Sequence, residues 1–267
     1  MTRIKELFER KKEILSVYFT AGFPALDDTR LIIESLVSSG ADMIEIGIPF
    51  SDPLADGPVI QHSSEVALNN GMSLHLLFDQ LKDIRKTLSS QIPLVLMGYL
   101  NPVMQFGKAE FCRRAKEVGI DGIIIPDLPM EEYLESDQAL FREHGLTNIF
   151  LVTPQTSEAR IRMIDKNSDG FIYLVSSAST TGVKEEVPAE QAEYFKRIKS
   201  MNLNNPLLIG FGIHDRKSFT RACESASGAF IGSAFIKALE QDKDLSRAIH
   251  IFVSNLRQGS PVQNLRA

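Results

Sequence analysis

Residues 42–58 read DMIEIGIPFSDPLADGP, an apolar run that passes into a long loop rich in proline and aspartate. The run has the β-branched character of a buried strand, yet it places an acid, Glu45, between Ile44 and Ile46. Ionising a carboxyl group in a low-dielectric interior costs several kcal/mol, so buried acids are rare unless they have a partner or a chemical task. The fold must therefore explain both the burial of Glu45 and its use.

The rest of the chain repeats the same order of a short apolar run, a loop, and a longer amphipathic stretch. Eight such runs predict strands at residues 15–19, 43–48, 94–97, 122–125, 149–152, 171–175, 207–210 and 229–231. Alternation of strands and helices implies parallel strands joined by crossover helices. The length of 267 residues suits an α/β fold of the (β/α)8 TIM-barrel type. We expect a single TIM-barrel domain over residues 1–267 with an additional N-terminal helix, and a doubly wound sheet remains the alternative.

Composition narrows the classes of function. The chain is 43% hydrophobic and 24% charged, and its net charge of -5 comes without a long basic block, which disfavours a nucleic-acid or anionic-membrane surface. Cys112 and Cys223 are too few for a disulfide scaffold or a structural zinc site. The N-terminal segment lacks the apolar core of a signal peptide, and no run reaches the roughly 18 residues of a membrane span. We expect a cytoplasmic protein.

The barrel predicts where Glu45 points. Alternation along the strand turns the three isoleucines of the run towards the helices and places Glu45 and Gly47 in the lumen. Glu45 lies near the C-terminal end of its strand, where barrel enzymes place catalytic groups. A carboxylate satisfied by a buried partner is the alternative. The following loop offers a second acid, Asp52 or Asp56, although aspartate beside proline and glycine commonly caps turns.

Glycine-containing loops follow the last three predicted strands. They read SASTTGVKEEVP, IGFGIHD and FIGSAFIKAL, the last of which opens a helix. Glycine permits close backbone approach, and amides at a helix N-terminus bind anions without a basic side chain. Three such loops on neighbouring strands predict a phosphate site of the kind that barrels carry, and hence a phosphate ester as substrate.

Other chemistries lack their residues. The sixth predicted strand, FIYLVSS, carries no lysine for a Schiff base, and the five histidines show no metal-ligand spacing. The sequence contains neither a GxSxG elbow nor a Walker P-loop. Of the reaction classes considered, the sequence favours acid–base catalysis by carboxyl groups without a metal.

Seven stretches of the chain resemble the tryptophan synthase alpha subunit in that family's order and spacing. They are YFTAGFP, IEIGIPFSDPLADGP, LMGYLNPV, GIIIPDLPMEE, IYLVSSASTTG, GFGI and IGSAFIKAL. The acid strand with its loop is highly specific, whereas many phosphate-binding barrels share the glycine loops. The resemblance covers essentially the whole chain.

The resemblance implies a lyase of tryptophan biosynthesis that reversibly cleaves indole-3-glycerol phosphate into indole and D-glyceraldehyde 3-phosphate, with no cofactor in this chain. It implies that Glu45 shuttles the proton and that Asp56 receives the indole N–H. For Tyr18, a role as a barrel-core aromatic is an equal alternative to substrate binding. The substrate-binding residues implied are Tyr18, Tyr99, Tyr173, Thr181, Gly182, Phe211, Gly212, Gly232 and Ser233.

The resemblance also implies a partner, a pyridoxal-phosphate-dependent beta subunit that receives the indole within an alpha2beta2 heterotetramer. The expected contacts are the loop around Pro49, Asp52 and Pro53 and the segment LNPVMQFG, residues 100–107. One departure is SSAST at residues 176–180, where the family commonly carries an arginine or other larger residue, so loop closure and allosteric coupling are expected to differ. The alternatives are a catalytically weak alpha-like subunit that activates the beta subunit, and another phosphosugar barrel acting as isomerase or epimerase.

Overall fold

The computed structural model describes residues 1–88, 91–175, 189–210 and 212–258. Within these residues nine strands form one parallel sheet. They are β1 (Ile14–Thr20), β2 (Met43–Gly47), β3 (Leu94–Met97), β4 (Gly122–Ile124), β5 (Thr147–Asn148), β6 (Phe150–Val152), β7 (Ile172–Val175), β8 (Leu207–Gly210) and β9 (Gly228–Ile231). Their order in the sheet is β5-β4-β3-β2-β1-β9-β8-β7-β6.

The sheet closes into a barrel between β5 and β6, which are consecutive in the chain and lie at the two ends of the sheet. β5 pairs with β4 and β6 pairs with β7, and only Ile149 separates β5 from β6 in the chain. The two ends of the sheet therefore meet, and the predicted TIM barrel is confirmed. The predicted strand at residues 149–152 corresponds to β6, and a further short strand, β5, precedes it outside the predicted range. Pairing changes sides at Ile149, whose amide donates to the carbonyl oxygen of Ile123 at 2.9 Å. That residues 1–267 form one domain stays a prediction.

Helices follow the strands around the outside of the barrel. The described residues contain a π-helical segment, Tyr133–Asp137, and fourteen α-helices: α1 (Arg3–Arg10), α2 (Asp28–Ser39), α3 (Pro58–Asn69), α4 (Leu74–Leu81), α5 (Ile84–Thr87), α6 (Leu100–Phe106), α7 (Lys108–Val118), α8 (Met130–Glu132), α9 (Gln138–Glu143), α10 (Glu158–Asn167), α11 (Ala189–Ser200), α12 (Arg216–Ser225), α13 (Ser233–Gln241) and α14 (Leu245–Gln258). In this part of the chain no helix has both the length and the apolar character needed to cross a membrane. The predicted N-terminal helix is α1.

Buried side chains divide into two clusters, as strand alternation predicts. Ile44, Ile46 and Ile48 belong to the larger cluster between strands and helices. The second cluster fills the lumen; its buried members are Ile4, Leu7, Ile14, Met43, Val95, Ile124, Ile149, Phe171, Tyr173, Leu208 and Phe230. Two of these come from α1, so this helix plugs the N-terminal end of the barrel.

Ion pairs fasten the plug to the N-terminal rim. The buried carboxylate of Asp121 accepts hydrogen bonds from Arg3 of α1 at 2.8 Å and from Arg85 at 2.6 Å. Asp42, also buried, accepts from Lys11 just after α1 at 2.5 Å. Both acids have cationic partners, which compensate the loss of hydration.

We predict that Asp121→Ala lowers the free energy of unfolding by about 3 kcal/mol, because two guanidinium groups lose their counter-ion at a largely buried site. Urea denaturation measures the loss. The matched control is Asp79→Ala, since Asp79 pairs with Arg114 at 2.7 Å but its side chain is 68% exposed. That change should cost less than about 1 kcal/mol, and equal losses in the two variants would contradict the prediction.

Candidate active site

Glu45 is the central residue of β2, below the mouth of the lumen. Glu45 is 1% exposed, and its Oε2 atom has no hydrogen-bond partner among the described residues. Burial above all, and then the charge of Asp56, raise the pKa of Glu45 from 4.5 to about 8. Glu45 therefore holds a proton at neutral pH.

Asp56 lies at the end of the loop between β2 and α3. The hydroxyl of Tyr99 donates to Asp56 Oδ2 at 3.0 Å, and the amide of Ala55 donates to that hydroxyl at 3.0 Å. Burial raises the pKa of Asp56, and the hydrogen bond from Tyr99 opposes this rise. Since Glu45 Oε2 has no such donor among the described residues, the surroundings favour the protonated form more strongly for Glu45 than for Asp56.

The other candidate acid of the loop stays outside this cluster. Asp52 is exposed, and it accepts a hydrogen bond from the hydroxyl of its neighbour Ser51 at 2.5 Å. The ring of Phe50 instead turns inward and lies 5.2 Å from the ring of Tyr99. The loop thus presents one acid, Asp56, to the mouth and leaves Asp52 in solvent.

Two buried tyrosines reach the mouth from below because glycines make room for them. A Cβ atom at Gly47 would lie 2.2 Å from the hydroxyl oxygen of Tyr18, and one at Gly210 would lie 2.1 Å from that of Tyr173. Burial raises the pKa of both tyrosines well above its usual value, and the charges of Glu45 and the neighbouring loop acid raise it further. Both side chains are therefore neutral hydroxyl groups facing the two acids.

The stacking of Tyr173 fixes its position. Its ring lies on the ring of Phe230 from β9, with centroids 4.3 Å apart and an angle of 17° between the planes. The structure thus brings together the acids and all three tyrosines of the predicted site: Glu45, Asp56, Tyr18, Tyr99 and Tyr173.

The glycine loops that the structure describes lie on the same rim. Gly212 follows β8 and has a φ of +76°, a conformation that glycine adopts without strain. Gly232 caps α13 after β9, and exposed Ser233 is the first residue of that helix. The first amides of α13 have no partner within the helix and can face an anion. Thr181, Gly182 and Phe211 lie outside the described residues.

Sequence reasoning missed two hydroxyl groups behind the mouth. Thr20 of β1 and Ser63 of α3 are fully buried, and their hydroxyl oxygens are 2.6 Å apart. Alternation along β1 from Tyr18 could have placed Thr20 in the lumen, whereas nothing in the sequence marks Ser63.

The described part of the chain contains neither a cluster of metal ligands nor a reactive thiol. No group of three or more histidine, cysteine, aspartate or glutamate residues there is placed to hold a metal ion. Burial raises the pKa of the Cys112 thiol to about 12 and that of Cys223 to about 11, so neither is a ready nucleophile at neutral pH.

Comparison with known proteins agrees with the resemblance seen in the sequence. The family model described as tryptophan synthase alpha chain matches residues 4–259. A tryptophan synthase alpha chain from Flavobacterium psychrophilum is 57% identical over 91% of this chain and 95% of its own. The crystal structure of the alpha chain from Legionella pneumophila superposes with a TM-score of 0.85 at 37% identity, covering 97% of each chain. A chain of the tryptophan synthase complex from Pyrococcus furiosus superposes with a TM-score of 0.82 at 34% identity, covering 92% of this chain and 98% of that chain. This chain therefore belongs to the tryptophan synthase alpha chain family.

Proposed function

We propose that Glu45 and Asp56 perform the carbon–carbon cleavage of this family. Tryptophan synthase alpha chains are lyases that cleave indole-3-glycerol phosphate to indole and glyceraldehyde 3-phosphate. The observation that supports these roles is the pair of acids at the mouth: Glu45 is buried and keeps its proton, and Asp56 is held by the Tyr99 hydroxyl. Such a pair of separately tuned carboxyl groups is typical of acid–base catalysis.

The two acids divide the reaction between them. Glu45 donates its proton to C3 of the indole ring, and the resulting indolenine is the electron sink for cleavage. Asp56, as a carboxylate, accepts the hydrogen bond of the indole N–H and stabilises the positive charge that develops there. The Glu45 carboxylate then takes the proton of the glycerol hydroxyl as the carbon–carbon bond breaks. Indole and the aldehyde leave, and Glu45 is protonated again.

The remaining predicted site residues bind the substrate. The aromatic side chains of Tyr18, Tyr99, Tyr173 and Phe211 surround the indole. Backbone amides at the glycine loops bind the phosphate, because amides at a helix N-terminus bind anions without needing a basic side chain. Thr181, Gly182, Gly212, Gly232 and Ser233 form this part of the site.

The cleavage needs no cofactor in this chain, because protonated indole itself withdraws the electrons. Pyridoxal phosphate belongs to a beta subunit, which takes the released indole, and the two chains form an alpha2beta2 assembly in the cytoplasm. The relative from Pyrococcus furiosus was solved as a tryptophan synthase complex, which supports a partner. Large apolar side chains at the mouth support it too, since Leu54 is 86% exposed and Met104 is 58% exposed.

A second function remains open, namely an alpha-like subunit that activates its partner without cleaving the substrate itself. The departure SSAST at residues 176–180 favours it, and the presence of both acids disfavours it. Indole release by the purified chain, measured alone and with a beta subunit, separates the two functions. Release that rises with the partner supports the lyase, whereas no release together with enhanced beta activity supports the activator.

We predict that Glu45→Gln lowers indole release about 100-fold or more, because glutamine has no proton to transfer. Asp52→Asn, in the exposed part of the same loop, is the control and should keep wild-type activity. Wild-type rates in Glu45→Gln would end the assignment of the proton shuttle.

The same variant should also change how stability depends on pH. Because the pKa of Glu45 is raised from 4.5 to about 8, the folded chain binds an extra proton between these values. The stability that this proton contributes is complete below pH 4.5 and is lost as the pH rises through about 8. Urea denaturation between pH 4.5 and 8 should therefore show that the free energy of unfolding of the wild type declines as the pH rises. The decline should be smaller in Glu45→Gln.

We predict that Tyr99→Phe moves the acidic limb of the kcat/KM profile to higher pH. Asp56 loses the hydrogen bond that holds down its pKa, so a smaller fraction is ionised in acid solution. Tyr133→Phe, which alters a tyrosine packed between Phe141 and Phe150, is the control and should leave the profile in place. An unchanged limb in Tyr99→Phe would show that the carboxylate of Asp56 is not required.

We predict that Leu54→Ser and Met104→Ser each weaken beta-subunit binding about tenfold, because each removes an apolar side chain from the proposed interface. Titration of the rise in indole release against beta subunit measures the affinity. The activity of the isolated chain should not change. Leu31→Ser on α2, where the side chain is 42% exposed, is the control for a general loss of apolar surface. Equal affinity in all variants would place the interface elsewhere.

A further inference from the structure

Three buried hydroxyl groups form a chain from the mouth of the barrel to helix α3. The Tyr18 hydroxyl lies 3.4 Å from Thr20 Oγ1, which lies 2.6 Å from Ser63 Oγ. The Ser63 hydroxyl donates to the carbonyl oxygen of Ile60 at 2.9 Å. All three hydroxyl residues are buried, Thr20 and Ser63 completely. The chain therefore ends in a backbone group of α3.

The carbonyl group of Ile60 gives the chain a direction. A hydroxyl group has one proton to donate, and a carbonyl oxygen can only accept. Since Ser63 donates to Ile60, it accepts from Thr20, and Thr20 in turn accepts from Tyr18. Each proton thus points away from the mouth, and the Tyr18 hydroxyl turns its oxygen, not its proton, towards the site.

The groups that face the Tyr18 hydroxyl make this direction matter. Tyr18 of β1 is paired directly with Glu45 of β2 in the sheet register. The two acids Glu45 and Asp56 act on its hydroxyl group electrostatically, as do the hydroxyl groups of Tyr99 and Tyr173. A hydroxyl group that presents its oxygen disfavours an ionised carboxylate nearby, whereas one that presents its proton stabilises it. Glu45 has a buried oxygen without a hydrogen-bond partner among the described residues. Of the two acids, it is therefore the one whose ionisation is more sensitive to the direction of the Tyr18 hydroxyl.

We propose that Ser63 is a positioning residue, which fixes the direction of the Tyr18 hydroxyl through Thr20 and so keeps Glu45 in its proton-donating form. Without Ser63, the proton of Thr20 is free to turn back to Tyr18, and the Tyr18 proton then turns towards the acids. The inference rests on the proposed role of Glu45 for its effect on catalysis. Its effect on the ionisation of Glu45 does not depend on that role.

The test is a direct titration of Glu45 in Ser63→Ala. Protein labelled with 13C at the glutamate side-chain carboxyl is titrated by NMR, and the signal absent from Glu45→Gln identifies Glu45. We expect the pKa of Glu45 to be lower in Ser63→Ala than in the wild type. Indole release should fall about 2- to 10-fold, the worth of one neutral hydrogen bond, and its alkaline limb should move to lower pH. A wild-type titration of Glu45 would overturn the proposal.

Two controls separate this effect from a general disturbance of α3. Ser64→Ala changes the neighbouring serine, which is also buried but lies outside the hydroxyl chain, and it should leave the titration of Glu45 unchanged. In a Tyr18→Phe background, Ser63→Ala should shift the pKa of Glu45 no further, because the hydroxyl that it acts through is gone. An equal shift in that background, or in Ser64→Ala, would overturn the proposal.

Thr20→Val carries the same test if Ser63→Ala fails to fold. It removes the acceptor of the Tyr18 proton at nearly the same volume, and it should lower the pKa of Glu45. Failure of the proposed function is a separate result, since it would appear as an active Glu45→Gln. Lower activity with a wild-type Glu45 titration would mean that Ser63 has only a structural role.

Discussion

Closing the strands into a barrel creates a lumen that side chains must fill, and this requirement governs the rest of the structure. At the N-terminal end the filling comes from Ile4 and Leu7 of α1, above which lie apolar side chains of the strands. At the opposite end the lumen holds tyrosines, which fit because Gly47 and Gly210 lack side chains. The apolar filling below leaves the mouth to hydroxyl and carboxyl groups, among them Tyr18, Tyr173 and Glu45.

The buried acids at the two ends of the barrel have opposite surroundings. Asp42 and Asp121 are ion-paired and fasten the plug. Glu45 is also buried, but no cation pairs with it among the described residues, and burial and a second acid raise its pKa to about 8. Buried acids thus bind cationic side chains at one end of the barrel, whereas Glu45 keeps a proton at the other. Loss of this proton at alkaline pH lowers the stability of the folded chain, which is a cost that a purely structural residue would not carry.

Sequence patterns predicted the barrel because short apolar runs alternate with amphipathic stretches along the chain, and they predicted the inward direction of Glu45 because side chains alternate along a strand. The break at Ile149 was not predictable in this way, since it depends on which neighbour each half of the strand pairs with. Local chemistry also left Asp52 and Asp56 as equal candidates, and the resemblance favoured Asp56. In the structure the hydroxyl of Tyr99 donates to Asp56, which lies 43 positions away along the chain. Ser63 contacts Thr20 over the same separation. Contacts of that range carry no local pattern.

Helix α3 connects these parts of the site. It begins at Pro58, directly after Asp56 and Gly57, and Gln61 in its first turn donates to the backbone oxygen of Asp56 at 2.9 Å. Its next turn carries Ser63, the end of the hydroxyl chain. One rigid element therefore sets both the position of the loop acid and the direction of the Tyr18 hydroxyl. Leu54, which is the exposed tip of the same loop, lies two residues before the acid. A partner that binds this tip and displaces α3 would act on both carboxyl groups at once, because the loop and the hydroxyl chain share that helix as their support.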